Sequence, residues 1–224
     1  MYYDNEAAVR SSADGGLPFN PFKALVAPRP IGWVSTLDQD GVVNLAPYSY
    51  FQAVADRPDV VMFSATPAIG EDGRFMDARK DSETLAEQGG EFVCNLVTMA
   101  LAEAMNVTSA SLPRGESEAE AAGLALVPSN KVKPPRVAAA PAALECVVVD
   151  AHPVMHRGGR HRYHMIFGEV VGMHIDDRFV SDGRVDTVAM EIVTRMGYDE
   201  YAVLETKFAM SRPDLDPMKS GLLK

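Results

Sequence analysis

Short apolar segments separated by turn residues dominate the chain between residues 29 and 64. Ile31–Leu37 and Val60–Ser64 are rich in β-branched and aromatic residues, a composition typical of strands. Val42–Ala46 and Tyr48–Ala55 lie between them with the same character, and Asp38–Gly41 supplies turn residues for a first hairpin. Four strands at such short intervals predict an antiparallel meander that curls into a barrel.

The pattern changes to a helical period at Asp81. The polar residues of Asp81–Thr84 predict the start of a helix that ends near Gly89 and Gly90. Glu91–Thr98 then predicts a buried strand, and Met99–Val107 predicts a further helix.

The second half of the chain starts with a proline-rich loop region and ends with two long strands. Residues 108–142 carry five of the fifteen prolines and one short helical segment, at 116–122. Ala143–Ala151 and Tyr163–Ile175 predict strands that pair around a turn at Gly158-Gly159.

Strands are therefore in the majority, and no regular alternation of strands and helices indicates a parallel sheet. The sequence predicts a mainly β fold, a Greek-key-like antiparallel β-barrel with helical insertions. We expect one domain over residues 18–210, an N-terminal extension over 1–17 and an extended C-terminal tail over 211–224.

Composition and charge exclude several classes of function. The chain has 31 acidic and 21 basic residues and a net charge of −10, which disfavours nucleic acid or an anionic membrane as a partner. No apolar run is long enough to span a membrane and no signal peptide is recognisable, so we expect a cytoplasmic protein. Cys94 and Cys146 lie in apolar runs and are expected to be buried free thiols.

Pro47 stands inside the returning strand of the first hairpin. Because proline donates no backbone hydrogen bond, we expect the backbone at residues 44–46 to leave the ladder and to offer its polar groups to a flat ligand. The alternative is a plain hairpin whose hydroxyl and amide side chains face solvent.

Arg79-Lys80-Asp81-Ser82 places a lysine and a hydroxyl where the first predicted helix begins. Free N–H groups and the positive end of the helix dipole make such a position suited to a phosphate. The alternative is an ordinary helix start with Asp81 as cap and Lys80 in solvent.

The segment His152–His164 contains four of the five histidines and three arginines, without a carboxylate. A solvated hairpin turn is one interpretation, and a cationic lip for the 2′-phosphate of NADPH is another. The absence of an acidic ligand disfavours a metal site. No Ser-His-Asp or Cys-His arrangement has a supporting motif, so we predict neither a metal nor a catalytic side chain.

An ordered set of motifs runs through residues 29–64. They are Arg29-Pro30-Ile31, Val34-Ser35-Thr36, Asp40-Gly41, Asn44-Leu45-Ala46-Pro47 and Ser49-Tyr50-Phe51. In this order the sequence resembles the flavin reductase-like proteins with an FMN-binding split barrel, of the flavoredoxin type. The resemblance continues through Arg79–Ser82, Gly90–Leu96, Lys133–Arg136 and Gly168–Val171, and covers most of residues 18–213. Ser82 replaces the family's usual threonine, and Thr84-Leu85 stand where the family has an asparagine.

The resemblance implies a homodimer that binds FMN near the subunit interface. It implies that Ser35 and Thr36 contact ribityl or phosphate oxygens, and that Lys80 and Ser82 hold the phosphate. The remaining cofactor-binding residues that it implies face the ring or add positive charge: Arg29, Asn44, Leu45, Ala46, Ser49, Tyr50, Phe51 and Arg79.

The activity that the resemblance implies is hydride transfer from NAD(P)H to N5 of FMN. Reduced flavin or its electrons would then reach a partner oxygenase or another electron acceptor. Because the cofactor supplies the chemistry, no catalytic side chain is required. The alternative is a non-catalytic FMN carrier or a flavoredoxin-like electron-transfer protein, and the sequence leaves NADH versus NADPH open.

Overall fold

The computed structural model describes residues 17–67, 79–113, 115–154 and 163–211. In chain order its strands are β1 (Arg29–Pro30), β2 (Gly32–Leu37), β3 (Val43–Tyr48), β4 (Phe51–Asp56), β5 (Asp59–Ser64), β6 (Glu91–Asn95), β7 (Leu126–Val127), β8 (Arg136–Val137), β9 (Ala142–Pro153), β10 (His164–Ile175), β11 (Val180–Ser181), β12 (Arg184–Val185), β13 (Val193–Arg195) and β14 (Tyr201–Val203). Its α-helices are α1 (Phe22–Leu25), α2 (Asp81–Gly89), α3 (Ala102–Val107) and α4 (Glu118–Ala121), with 3₁₀ turns at Met99–Leu101 and Asp177–Phe179.

Seven strands form one antiparallel sheet in the order β3-β2-β6-β9-β10-β5-β4. Its outer strands β3 and β4 follow each other in the chain and are joined by Ser49 and Tyr50. Within the described residues β3 pairs with β2 alone and β4 with β5 alone. The sheet is therefore open between β3 and β4. Residues 49–50 link these two strands in the chain, but no ladder of hydrogen bonds joins them within the described residues.

Three smaller sheets accompany the large one. They comprise β1-β13-β14, β7-β8 and β11-β12. The predicted mainly β fold with helical insertions is confirmed, and none of the helices in the described ranges is long and apolar enough to cross a membrane.

Two apolar clusters hold the sheet together. One contains Phe63 and Phe92, whose rings meet edge to face with centroids 5.3 Å apart, and Ala86 of α2 packs on it. Gly168 of β10 is required there, because a Cβ at this position would lie 2.3 Å from the Phe92 ring. Cys94 and Cys146 are free and buried, as predicted.

The second cluster surrounds Trp33 of β2, whose neighbour Val34 belongs to the first cluster, so the two clusters lie on opposite faces of that strand. The Trp33 indole Nε1 donates a hydrogen bond of 2.8 Å to Thr108 Oγ1, and Thr108 in turn donates to the Met105 carbonyl. The loop that follows α3 is thereby fixed to the sheet.

The prediction that Pro47 takes residues 44–46 out of the ladder is wrong. β3 runs unbroken to Tyr48, and Pro47 pairs with Trp33. The Leu45 N–H and the Val43 carbonyl bond outward, to Glu118 and Ser117, because β3 is an outer strand. Backbone groups alternate in direction, so the nitrogen of Pro47 faces the same outer edge and removes no ladder bond.

β9 and β10 pair from His164↔Pro153 to Ile175↔Ala142, which confirms the pairing predicted for the two long strands. The predicted turn at Gly158-Gly159 lies outside the described residues. So does almost all of the predicted N-terminal extension and C-terminal tail.

Candidate functional site

A polar cavity of about 260 Å³ lies where β3 ends and β4 begins, against the N-terminus of α2. Amide, hydroxyl and charged side chains dominate its wall. The lining residues are Lys23, Asn44, Ala46, Pro47, Tyr48, Ser49, Tyr50, Ser64, Thr66, Lys80, Asp81, Ser82, Thr108, Ser109, Ala110, Ser111, Leu112 and Glu118.

Glu83 fixes the N-terminus of α2 at this cavity. Its carboxylate accepts from the N–H of Ala65 at 3.1 Å, just after β5, and from the N–H of Lys80 at 3.3 Å. Glu83 is 2% exposed, and this burial raises its pKa above the usual value, although the N–H donors and Arg79 oppose the shift. Lys80 and the first turn of the helix are thereby held beside the end of β5, where the helix dipole favours an anion.

A chain of polar side chains forms the buried wall of the cavity. Asn44 Oδ1 accepts from Ser82 Oγ at 2.5 Å and from Thr36 Oγ1 at 3.4 Å, while its Nδ2 donates to Glu118 at 3.0 Å. Burial is the main cause that raises the pKa of the Tyr48 phenol, and the Ser82 hydroxyl opposes this shift. These side chains satisfy one another without a ligand.

An apolar groove of about 1020 Å³ adjoins the polar cavity. Its aromatic and aliphatic walls come from α1, β4, β5, β10 and residues next to them: Phe22, Leu25, Val26, Tyr50, Phe51, Met62, Tyr163 and Met165. Four residues line both spaces, namely Lys23, Ser49, Tyr50 and Ser64. The two spaces are therefore adjacent, with the polar one at α2 and the apolar one at α1.

Arg29 holds α1 in its place at the groove. The side chain is 6% exposed, and its guanidinium donates to the carbonyls of Lys23, Val26 and Met196, the last at 2.7 Å. A Cβ at Gly197 would lie 2.6 Å from Ala24 Cβ, so α1 also lies directly on the turn after β13.

A comparison with known proteins shows the class to which this fold and site belong. Residues 25–188 match the family model described as the flavin reductase like domain. The chain belongs to the flavin reductase-like family. The predicted family and the predicted split-barrel fold are thus confirmed.

Similar proteins occur both among uncharacterised relatives and among solved structures. An uncharacterised protein of Deinococcus radiodurans is 42% identical over 181 residues, which cover 78% of this chain and 74% of that protein. The structure of nitrilotriacetate monooxygenase component B from Bacillus cereus is 28% identical with a TM-score of 0.80, covering 94% of this chain and 98% of the other. Flavoredoxin of Desulfovibrio vulgaris shares the fold, with a TM-score of 0.67 at 19% identity, over 82% of this chain and 91% of the other.

In this flavin reductase-like site, six of the predicted cofactor-binding residues line the polar cavity. They are Asn44, Ala46, Ser49, Tyr50, Lys80 and Ser82. Phe51 and Arg29 line the groove, but the polar contacts of the Arg29 guanidinium are all with backbone carbonyls of the chain itself.

The structure places the other four predicted residues away from both spaces. Ser35 is fully buried and donates to the Pro135 carbonyl at 2.6 Å, and Thr36 is fully buried beside Asn44. The Leu45 side chain belongs to the core around Trp33. Arg79 forms an ion pair with Glu87 on α2.

Several residues of the site were not predicted from the sequence. Lys23 and Tyr163 reach it from distant parts of the chain, and no motif identifies them. Thr108, Ser109 and Ser111 form a hydroxyl-rich run after α3, and this run could have indicated a polar binding site from the sequence alone. Glu118 lies in a short acidic helix whose sequence is typical of a solvent-exposed surface. In the structure, however, Glu118 is 8% exposed and its carboxylate accepts a hydrogen bond from β3.

The metal interpretation of His152–His164 is not tested, because most of this segment lies outside the described residues. Among the residues that are described, no cluster of three or more histidine, cysteine or acidic side chains has the geometry of a metal site.

Proposed function

We propose that this protein binds FMN across the two adjacent spaces and acts as an NAD(P)H-dependent flavin reductase. The observation that carries the proposal is that a polar, lysine-bearing cavity at a helix N-terminus adjoins an apolar, aromatic groove and shares four lining residues with it. FMN has the same division, with a phosphate at one end, a polyhydroxylated linker and a flat ring system at the other.

The residues fit the phosphate end. Lys80 stands at the N-cap of α2, where the helix dipole adds to its charge. Ser49, Thr66, Ser109 and Ser111 add hydroxyl groups to the same cavity. A net charge of −10 does not oppose this assignment, because a local positive potential determines the affinity for a small anion.

The residues also fit the ring end. Tyr50 and Tyr163 meet edge to face with centroids 6.4 Å apart, and Phe51 and Met62 extend the apolar wall. Flat aromatic ligands bind in such pockets through burial and stacking. The groove has ample volume for a ring system in addition to the 260 Å³ at the polar end.

When bound, the flavin supplies the redox chemistry by accepting a hydride from the nicotinamide. The residues of the chain bind and orient it. Lys80 holds the charged end, and the aromatic wall of the groove excludes water from one side. The sequence contains no dinucleotide-binding motif, so the nicotinamide would bind on the open side of the same groove.

A second copy of the chain is proposed to pack against the α1 side of the groove. Phe22 and Leu25 of α1 are 53% and 80% exposed at its rim, as expected for a surface that a homodimer buries. The similarity to a monooxygenase component B supports an oxygenase partner as recipient of the reduced flavin.

The test is a steady-state assay of NADH and NADPH oxidation with FMN, followed by the loss of nicotinamide absorbance. A reductase oxidises at least one donor under these conditions. Lack of turnover with both donors, by protein that binds FMN, would refute the reductase activity and favour the non-catalytic carrier. Lack of FMN binding would refute the site itself.

A further inference from the structure

The hydrogen bonds around Asn44 run in one direction only. The Glu118 carboxylate accepts from Asn44 Nδ2 at 3.0 Å and from the Leu45 N–H at 2.9 Å. A carboxylate has no proton to donate, so the amide nitrogen of Asn44 must face Glu118. The carbonyl oxygen of Asn44 consequently faces Ser82 and Thr36.

This orientation determines where the proton of Ser82 lies. An amide oxygen can only accept, so the Ser82 hydroxyl donates its single proton to Asn44 across 2.5 Å. Ser82 is 1% exposed, so solvent does not compete for its proton. The donors therefore follow one another from Ser82 through Asn44 to Glu118.

We infer that Glu118 is a positioning residue that acts through Asn44 to keep the Ser82 proton away from the ligand. Thr108 and Ser109 donate to the carbonyls of Met105 and Asn106, so Lys80 and the Ser111 hydroxyl provide the donors for the phosphate, and Ser82 provides none. This inference rests on the proposed FMN site and revises the role that the resemblance implies for Ser82.

The substitution Glu118→Gln tests the direction of the chain. The introduced side chain has one acceptor, which must serve the fixed Leu45 N–H, so its NH₂ group faces Asn44. Asn44 must then turn its oxygen to that NH₂ group and its own NH₂ group to Ser82. Ser82 becomes an acceptor, and its own hydroxyl proton turns toward the cavity.

The readout is phosphate preference, the ratio of the dissociation constants of riboflavin and FMN measured by quenching of flavin fluorescence. We expect Ser82→Ala to leave this ratio within about twofold of the wild-type value, whereas Lys80→Met lowers it roughly tenfold or more. If Ser82→Ala lowers the ratio as much as Lys80→Met does, Ser82 is a phosphate donor and the inference is wrong.

Glu118→Gln also removes a negative charge, so its effect has to be measured in two backgrounds. We expect it to raise the ratio in the wild-type chain and to raise it less in the Ser82→Ala chain, because the proton that it releases is then missing. If the ratio rises equally in both backgrounds, the loss of the Glu118 charge alone explains the effect, and the inference is wrong.

A second test asks whether Glu118→Gln restores the stability that Asn44→Asp removes, measured by thermal unfolding of the protein without flavin. Asn44→Asp alone places two carboxylates against each other and should lower the unfolding midpoint. Adding Glu118→Gln to it restores a donor facing an acceptor at unchanged charge, so the double variant should recover most of the loss. No recovery would contradict the assigned direction. This measurement requires no flavin, so it separates failure of the inference from failure of the proposed function.

Discussion

Replacing Lys80 by methionine removes the charge at the N-cap of α2 and keeps most of the apolar side chain. The Lys80 side chain lines the polar cavity, and it forms no ion pair with a carboxylate in the part of the chain that the structure describes. The perturbation is therefore confined to the ligand-binding end of the cavity.

The size of the effect follows from the local electrostatics. A hydrogen bond to a charged group contributes about 1.5–3 kcal/mol. Two unit charges 4 Å apart attract by about 4 kcal/mol near a protein surface and by about 1 kcal/mol in water, and this cavity is open to solvent. We therefore expect Lys80→Met to weaken FMN binding about 10- to 150-fold.

The assay compares FMN with riboflavin in fluorescence titrations at two salt concentrations. Riboflavin lacks the phosphate, so its affinity for Lys80→Met should stay within about twofold of the wild-type value. The FMN affinity of the variant should also depend less on salt. Lys80→Arg keeps the charge and should retain most of the affinity.

A matched control is Lys207→Met, because Lys207 pairs with Asp186 at 2.8 Å and lines neither cavity. It should bind both flavins like the wild type. Equal loss of FMN and riboflavin affinity in Lys80→Met, or no loss of either, would refute the assignment of the phosphate to this end.

Three further predictions concern the groove and the helix that borders the cavity. Gly32→Ala places a Cβ 2.6 Å from the Phe51 ring, so the ring must move, and titrations should show FMN and riboflavin weakened by the same factor. A loss limited to FMN would contradict this prediction. Arg29→Met removes three hydrogen bonds that tether α1, and urea denaturation should show a loss of about 2–4 kcal/mol; an unchanged free energy of unfolding would contradict the tether. The raised pKa of Glu83 means that the folded state binds its proton more tightly than the unfolded state, so Glu83 favours folding in acid and loses that contribution as pH rises through its folded pKa. The stability of the wild type relative to Glu83→Gln should therefore increase on acidification toward the usual glutamate pKa, and a decrease over that range would contradict the shift.

Local signals predicted most of the fold. β-Branched runs identified β2, β5 and β6, and the polar start at Asp81 with glycine at its end identified α2, where Gly90 has a φ of 71°. These signals act between neighbours in the chain. The course of β3 through Pro47 was mispredicted because it depends on a long-range fact, namely that no strand among the described residues pairs with the outer edge of β3.

The same distinction applies to the site. Lys80 and Asn44 belong to motifs with a recognisable order, and both line the cavity. Ser35 belongs to such a motif as well, but its hydroxyl bonds to the carbonyl of Pro135, a hundred residues away. A motif identifies which side chains lie on a strand. It does not identify which distant segment packs on each face of that strand, and this packing decides whether a side chain such as Ser35 faces a ligand or the protein interior. Glu118 escaped prediction for the same reason, because its partners on β3 are 73 and 74 residues distant.

The most direct test of the central claim is a crystal structure of the protein with FMN. The account predicts that the phosphate lies within hydrogen-bond distance of Lys80 Nζ, that the ring lies against Tyr50 and Phe51, and that Ser82 Oγ stays bonded to Asn44. A flavin bound outside these two spaces, or with its ring at the N-terminus of α2, would contradict the account.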